Sequence, residues 1–333
     1  IVSRDWSSDV CSSDLTNLGT PDEATPSALR RYLAEFLWDR RVVDLPRWKW
    51  WLILHGIILR TRPAKVAKTY KKVWSSEGGP LLVISKQQRV ALQERLQEQF
   101  GDDVTVEMGM RYGNPSISSA LNSLHAEGVE RIIVLPLFPQ YSAATTGSTF
   151  DAVSDTIRNW RSIPELTFIN EYHTNPKYIE ALAKSITKHR KFHDNISAGE
   201  RLLFSYHGLP QSYHDAGDPY KSQCIATTNA VVKYLGLSES QFMVVFQSRF
   251  GKEEWLKPYI EETLQTLPKN GIKKIDLVCP GFSADCVETL EEIALQDRDM
   301  FVASGGSEYN YIPALNDNSA HIDTLSEILL ERV

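Results

Sequence analysis

Residues 202–220 read LLFSYHGLPQSYHDAGDPY, and the rest of the chain is arranged around them. Leu202-Leu203-Phe204 is an apolar run of the kind that makes a strand buried on both faces. Gly208 and Pro210 stop that strand at once, so His207 sits where the chain leaves the sheet. In open α/β sheets the crevice at the carboxyl ends of the strands is where ligands bind. A histidine held there, with Gly217-Asp218-Pro219-Tyr220 following, is placed for chemistry. The plainer reading of a single His is a hydrogen-bonded loop residue.

Outward from this point, strand-like runs and helical stretches alternate. The spacing predicts strands at 81–85, 104–110, 131–138, 166–172, 202–206, 242–247 and 274–279. Helices are expected at 86–100, 116–127, 148–160, 176–192, 222–235, 256–267, 284–296 and 320–331. Earlier, Thr25-Pro26 opens a helix to Trp38, with Thr as N-cap and Pro in the first turn. Repeated strand–helix units mean parallel sheets covered on both faces. Two Rossmann-like domains fit the count, with a closed β/α barrel as the rival. The expected division is 17–165 and 166–319, with helix 320–333 free to return to the first domain.

The polar motifs fall on the carboxyl side of their strands: Arg111-Tyr112-Gly113, Pro139-Gln140-Tyr141-Ser142, His207, Gln247-Ser248-Arg249, and Pro280-Gly281-Phe282 leading to Asp285. One cleft can take all five. In the helix that follows Cys279, Asp285, Glu288 and Glu292 share one face at i, i+3 and i+7. A solvated acidic face is the ordinary explanation of such a pattern. Against it, Glu288 lies close to the expected cleft, and a cation would offset the mutual repulsion. Imidazole with carboxylate suits ferrous iron or zinc, which makes His207 and Glu288 the candidate metal pair. His189 and His193 sit among Lys188, Arg190 and Lys191, surroundings that disfavour a cation.

A formal charge of −6 argues against nucleic acid as a partner. Cys11, Cys224, Cys279 and Cys286 make no C-x-x-C framework or iron–sulfur motif, and a reduced cytoplasmic setting follows. No secretory signal or membrane-spanning run is visible. Residues 46–62, PRWKWWLILHGIILRTR, combine bulky apolar side chains with flanking Arg and Lys, as interfacial segments do. A buried helix is the alternative. Residues 1–16 show no strand pattern where a first strand belongs, and Asp5–Leu15 (DWSSDVCSSDL) back-translates into a sequencing-adapter sequence. The expectation is a non-native segment that has replaced an apolar strand ahead of Asn17.

From Asn17 to about Glu331 the motifs N-L-G-T-P, R-Y-G, P-Q-Y-S-x-x-T-T-G, S-Y-H-G-L-P…G-D-P-Y, F-Q-S-R-F-G…W and P-G-F-x-x-D-C-x-E-T-L-E-E together resemble those of the ferrochelatases. The resemblance implies the chelatase fold, two Rossmann-like domains with a porphyrin cleft between them. It also implies insertion of ferrous iron into protoporphyrin IX to form protohaem, the terminal step of haem biosynthesis, with iron as substrate and no prosthetic group. By matching motif positions, His207 and Glu288 are the catalytic and metal-binding pair. Asp285 and Glu292 continue an acidic line along a helix that is locally a π-helix in the family. Leu18, Arg111, Tyr112, Tyr141, Tyr220, Gln247, Ser248 and Trp255 line the porphyrin site.

Leu18 and the long 46–62 lip match members that act on protoporphyrin IX, and the lip implies peripheral contact with the inner membrane. The chain departs from the pattern at Cys286, where some members have His, and at Gly78-Gly79-Pro80, which lacks the serine often seen before the proline. A chelatase for cobalt or coproporphyrin is the alternative enzyme. A porphyrin carrier is the non-enzymatic one; it would need no acidic helix face.

Overall fold

A computed structural model describes residues 11–190, 196–251 and 253–332, with the backbone alone for Cys11. The first ten residues of the stretch read as non-native lie outside the described residues. The chain divides into two compact units. The first holds the described residues to Leu137, then Ala143–Glu171 and the segment from Asp317 onward; the second holds Phe138–Ser142 and Tyr172–Asn316.

The first unit contains β1 (Cys11–Thr20), α1 (Pro26–Trp38), α2 (Arg47–Ile53), a π-helical turn (Leu54–Ile58), α3 (Leu59–Val73) and α4 (Pro80–Phe100). Next come β2 (Val106–Gly113), α5 (Ile117–Ala126), β3 (Arg131–Pro136), α6 (Ser148–Ile157) and β4 (Glu165–Phe168). The second unit contains α7 (Pro176–His189), β5 (Glu200–His207), α8 (Gln211–Asp215), α9 (Tyr220–Leu235), β6 (Phe242–Gln247) and α10 (Ile260–Thr266). It continues with β7 (Lys274–Val278), a π-helix (Glu288–Asp297), α11 (Arg298–Ala303) and β8 (Glu308–Ile312); α12 (Ser319–Leu330) then closes the first unit.

Every strand pairing is parallel, and the two sheets share one order: β2-β1-β3-β4 and β6-β5-β7-β8. From β5 the chain moves to one side to form β6, then crosses back to form β7 on the other. The strand order therefore reverses beside β5, and the carboxyl ends of β5 and β7 flank the switch point where such sheets bind ligands. His207 is the last residue of β5. The core of this unit gathers Leu203, Val245, Ile275 and Leu277 from the strands with Ile260, Leu264, Ile293 and Phe301 from the helices.

Several elements differ from the sequence reading. Residues 81–85 are helix, the start of α4, because Pro80 at N1 presets the helical φ and the buried positions Ser85, Gln88, Leu92 and Leu96 recur at helical spacing. The expected strand 166–172 is the shorter β4 and belongs to the first sheet, so the units part after Glu171 and not after residue 165. The short β8 was not foreseen. Thr25 does cap α1, its Oγ accepting from Ala28 N at 3.3 Å, and α12 packs on α4, where Arg95 Nη2 meets Asp323 Oδ1 at 2.9 Å.

The largest departure is β1. The sequence reading left the first sheet without its first strand, yet residues 11–20 form one between β2 and β3. Ser12, Ser13, Asp14 and Thr16 are all buried in it. Their hydroxyls and both Asp14 oxygens complete no hydrogen bond. Burial drives the Asp14 carboxyl well above the usual carboxylate range, and the paired Glu107 adds to it.

Candidate active site

His207 leaves β5 with its backbone locked. Gly208 N donates to Gln247 O at 2.8 Å, and a Cβ on Gly208 would lie 2.8 Å from that same carbonyl oxygen and 3.0 Å from the Trp255 ring. Glycine is therefore needed for close approach, with no unusual φ involved. Residues on both sides of Pro210 are strapped to the Trp255 segment: Leu256 N donates to Leu209 O at 2.9 Å and Gln211 N to Glu254 O at 2.8 Å. The His207 ring lies 6.5 Å from the Trp255 ring, centroid to centroid. Its Nδ1 is 2.7 Å from Gly208 O. A carbonyl only accepts, so Nδ1 carries the proton and Nε2 keeps its lone pair in the neutral ring.

Beside it, at the end of β6, Gln247 is buried. Its Oε1 accepts from Ser205 Oγ at 2.7 Å and from the Cys279 thiol at 3.7 Å, while its Nε2 donates to nothing. Ser248 follows at φ 64°, a left-handed conformation unusual for serine. That turn aims its hydroxyl at both Glu292 oxygens, at 3.1 and 3.0 Å. Backbone strain of this kind, about 1–3 kcal/mol, gathers at functional sites.

Glu288 opens the π-helix that follows β7, and Glu292 lies one turn on. Burial, partly offset by the Ser248 hydroxyl and reinforced by Glu288 and Glu261, pushes Glu292 up to about 7. Asp285 does not share their face. It precedes the helix, where Tyr311 Oη donates to its Oδ1 at 2.5 Å, Thr289 Oγ1 donates to the same oxygen at 2.9 Å and Asn316 Nδ2 donates to Oδ2 at 2.8 Å. The sequence pattern assumed an α-helix through 284–296; the π-helix begins only at Glu288 and leaves Asp285 as its anchor. Among the described residues no group of three or more His, Cys, Asp or Glu side chains is arranged to hold a metal ion; the candidate pair His207 and Glu288 has two.

The proposed porphyrin-lining residues separate into two sets. Leu18, Arg111, Tyr141, Ser248 and Trp255 are partly exposed. Tyr112, Tyr220 and Gln247 are buried. Tyr112 Oη donates to Asp39 Oδ2 at 2.9 Å and meets Ser148 Oγ at 3.0 Å. Tyr220 opens α9, its amide donating to Asp218 Oδ1 at 2.9 Å, and its hydroxyl lies near Cys224 and Tyr206. The two tyrosines that the motif reading placed on the porphyrin are thus both buried in these contacts. Asp39 and Ser148, which hold Arg111, escaped that reading; an aspartate at a helix C-terminus, where the dipole disfavours it, was the available signal.

Asp297, at the far end of the π-helix, is buried with Oδ2 unpartnered. Burial first, then Glu292 and Glu261, push its carboxyl up to about 8. An acid raised on folding binds its proton more tightly in the native state, so it stabilises the fold relatively at low pH. That advantage is lost as pH climbs from the unfolded value near 4 through 8. Asp297→Asn is expected to melt like the parent at pH 4 and several degrees higher at pH 8; equal melting at both would refute the assignment.

Two doubly wound parallel sheets, the second with a histidine and an acidic π-helix beside its switch point, set the frame for comparison with known proteins. A solved structure of similar fold is SirB from Bacillus subtilis with Fe3+, at TM-score 0.57 and 11% identity, covering 96% of this chain and 94% of that one. A family model described as Ferrochelatase matches residues 15–333. The ferrochelatase of Thioalkalivibrio sulfidiphilus is 53% identical over 319 residues, 96% of this chain and 86% of the relative. That of Hydrogenovibrio crunogenus is 52% identical over 322 residues, 96% of this chain and 84% of the relative. The chain belongs to the ferrochelatase family.

Proposed function

We propose that this enzyme inserts ferrous iron into protoporphyrin IX to give protohaem, with His207 and Glu288 as the reacting pair. The observation that carries the reading is the His207 ring, in a chain of this family, held through Nδ1 with Nε2 available. Insertion needs acceptors for two pyrrole N–H protons and donors that replace water on the ion. A neutral imidazole nitrogen with a free lone pair can accept one of these protons. Glu288 offers carboxylate oxygen, and the nearby Glu292, poised near 7, can take up or release a proton over the working range. Trp255 supplies a flat apolar wall, and Arg111 is the cation suited to a carboxylate of the macrocycle.

The reaction is tested anaerobically with purified protein, ferrous iron and protoporphyrin IX, following conversion of the porphyrin spectrum to that of haem. Cobalt and coproporphyrin run in parallel distinguish the alternative chelatases. Binding without conversion would indicate a carrier and overturn the assignment.

Peripheral membrane contact is part of this proposal. Trp48, Trp51, Leu52 and Ile57 are 67%, 52%, 55% and 60% exposed, beside Arg47 and Lys49, an amphipathic composition that favours an anionic interface. No helix among the described residues is long and apolar enough to cross a membrane. Leu54 and Ile58 from the same segment are buried, so the exposed residues can be changed without opening the core. A Trp48→Ser, Trp51→Ser, Ile57→Ser variant is expected to lose at least tenfold in partitioning to vesicles containing anionic lipid; unchanged partitioning would refute the contact.

A further inference from the structure

Asp39 follows the last residue of α1, at the root of the exposed aromatic segment. Its Oδ2 accepts from Arg111 Nη2 at 2.6 Å, Ser148 Oγ at 2.5 Å and Tyr112 Oη at 2.9 Å. Its Oδ1 accepts from the Arg41 amide at 2.7 Å. Arg111 completes the ring, its Nε donating to Ser148 O at 2.9 Å and Oγ at 2.6 Å. Two residues on from Asp39, the Arg41 guanidinium grips both oxygens of Asp151 on α6 at 2.5 and 2.8 Å. Burial would raise the Asp39 carboxyl, but the donors and the Arg111 charge outweigh it and hold it below the usual range. It stays ionised at a helix end that disfavours an anion.

The aromatic segment leans on the same helix end. Trp50 Nε1 donates to Leu37 O at 2.6 Å, Arg47 donates to Trp38 O, and the Arg47 guanidinium stacks 3.7 Å above the Trp38 ring. We propose that Asp39 is a positioning residue that fixes the exposed segment 47–58 and the Arg111 guanidinium in one geometry, and so sets the affinity for an acidic tetrapyrrole. The functional half rests on the reading that these groups meet the porphyrin.

Asp39→Asn and Asp39→Ala test it, the first keeping shape and the second removing the group. Hydrogen exchange at 40–58 should quicken at least tenfold in the Ala variant and less in the Asn variant, while the core strand 131–136 stays protected. The KM for porphyrin should rise at least tenfold with kcat within threefold, and Asp39→Glu should recover part of it. Unchanged exchange at 40–58 in both variants overturns the anchoring role. Quickened exchange with unchanged KM overturns the effect on affinity. If the parent turns over no porphyrin, the functional assignment fails and exchange alone decides the anchoring.

An independent observation concerns β1. The family match begins at Leu15, yet the strand begins at Cys11, and its unmatched residues Ser12, Ser13 and Asp14 lie in the sheet interior with unpartnered side chains. Interior parallel strands are normally apolar throughout. We infer that Ser12–Asp14 stand where the strand carries apolar residues, in keeping with the adapter-like string that ends at Leu15. Asp14→Val, and Ser12→Val with it, are expected to raise the melting temperature by several degrees, and genomic DNA should encode an apolar run at these codons. Genomic DNA that encodes the same string, or variants that melt at or below the parent, would overturn it.

Discussion

His207→Ala is expected to abolish most metallation, lowering kcat about 10²–10⁴-fold, the range for loss of a positioned proton acceptor. The variant should fold normally, because His207 is partly exposed and, among the described residues, its ring bonds only the neighbouring Gly208 O. Porphyrin affinity should change little, since the Trp255 wall beside His207 remains. The decisive comparison is spectroscopic: porphyrin fluorescence quenched by binding in both proteins, conversion to haem in the parent alone. A variant that retains more than a tenth of the parent rate would move the proton-accepting role to Glu288 or Glu292.

Gly19→Ala is expected to be the most destabilising single-methyl change in the first unit. Gly19 has φ 116°, and a Cβ there would lie 1.8 Å from Tyr112 O. The backbone strain is worth about 1–2 kcal/mol and the steric overlap about 1–3 more. Together they are a large part of a typical stability of about 5–15 kcal/mol. The clash cannot be relieved by a rotamer, because the obstructing atom is backbone of the paired strand. The carboxyl ends of β1 and β2 would have to part, shifting Leu18 from Arg111. A drop in melting temperature of about ten degrees, with weaker porphyrin binding in what remains folded, is the expected outcome. Wild-type melting would show that the strands accommodate the methyl.

Periodicity alone made the alternating architecture legible. Apolar runs such as Leu202–Phe204 and Ile132–Leu135 are buried on both faces, and that burial is written in composition. His207 could be found because a glycine and a proline must end its strand, wherever the strand lies in the sheet. Length and local pattern failed where two structures share one signature. Leu81–Ser85 is an apolar run that suits either a strand or the first turns of a helix, and its continuity with 86–100 decided for α4. β8, EYNYI, is short and alternates polar with apolar residues, so only its pairing with β7 makes it a strand.

The amino acids by themselves determined the α/β class, the two-sheet organisation and the residue types at the strand ends. Tertiary structure decided which of those residues are buried and which stay partly exposed. Tyr112 and Tyr220 carry motif positions but point into packed interiors; Asp285 is spent on Tyr311, Thr289 and Asn316. Asp39 is joined to Arg111 across 72 residues of chain. β1 shows the limit most plainly: a polar stretch lies inside a sheet because its neighbours on both sides offer backbone partners. Hydrogen bonding between main chains does not depend on the side chain, whereas the energy of burying that side chain does.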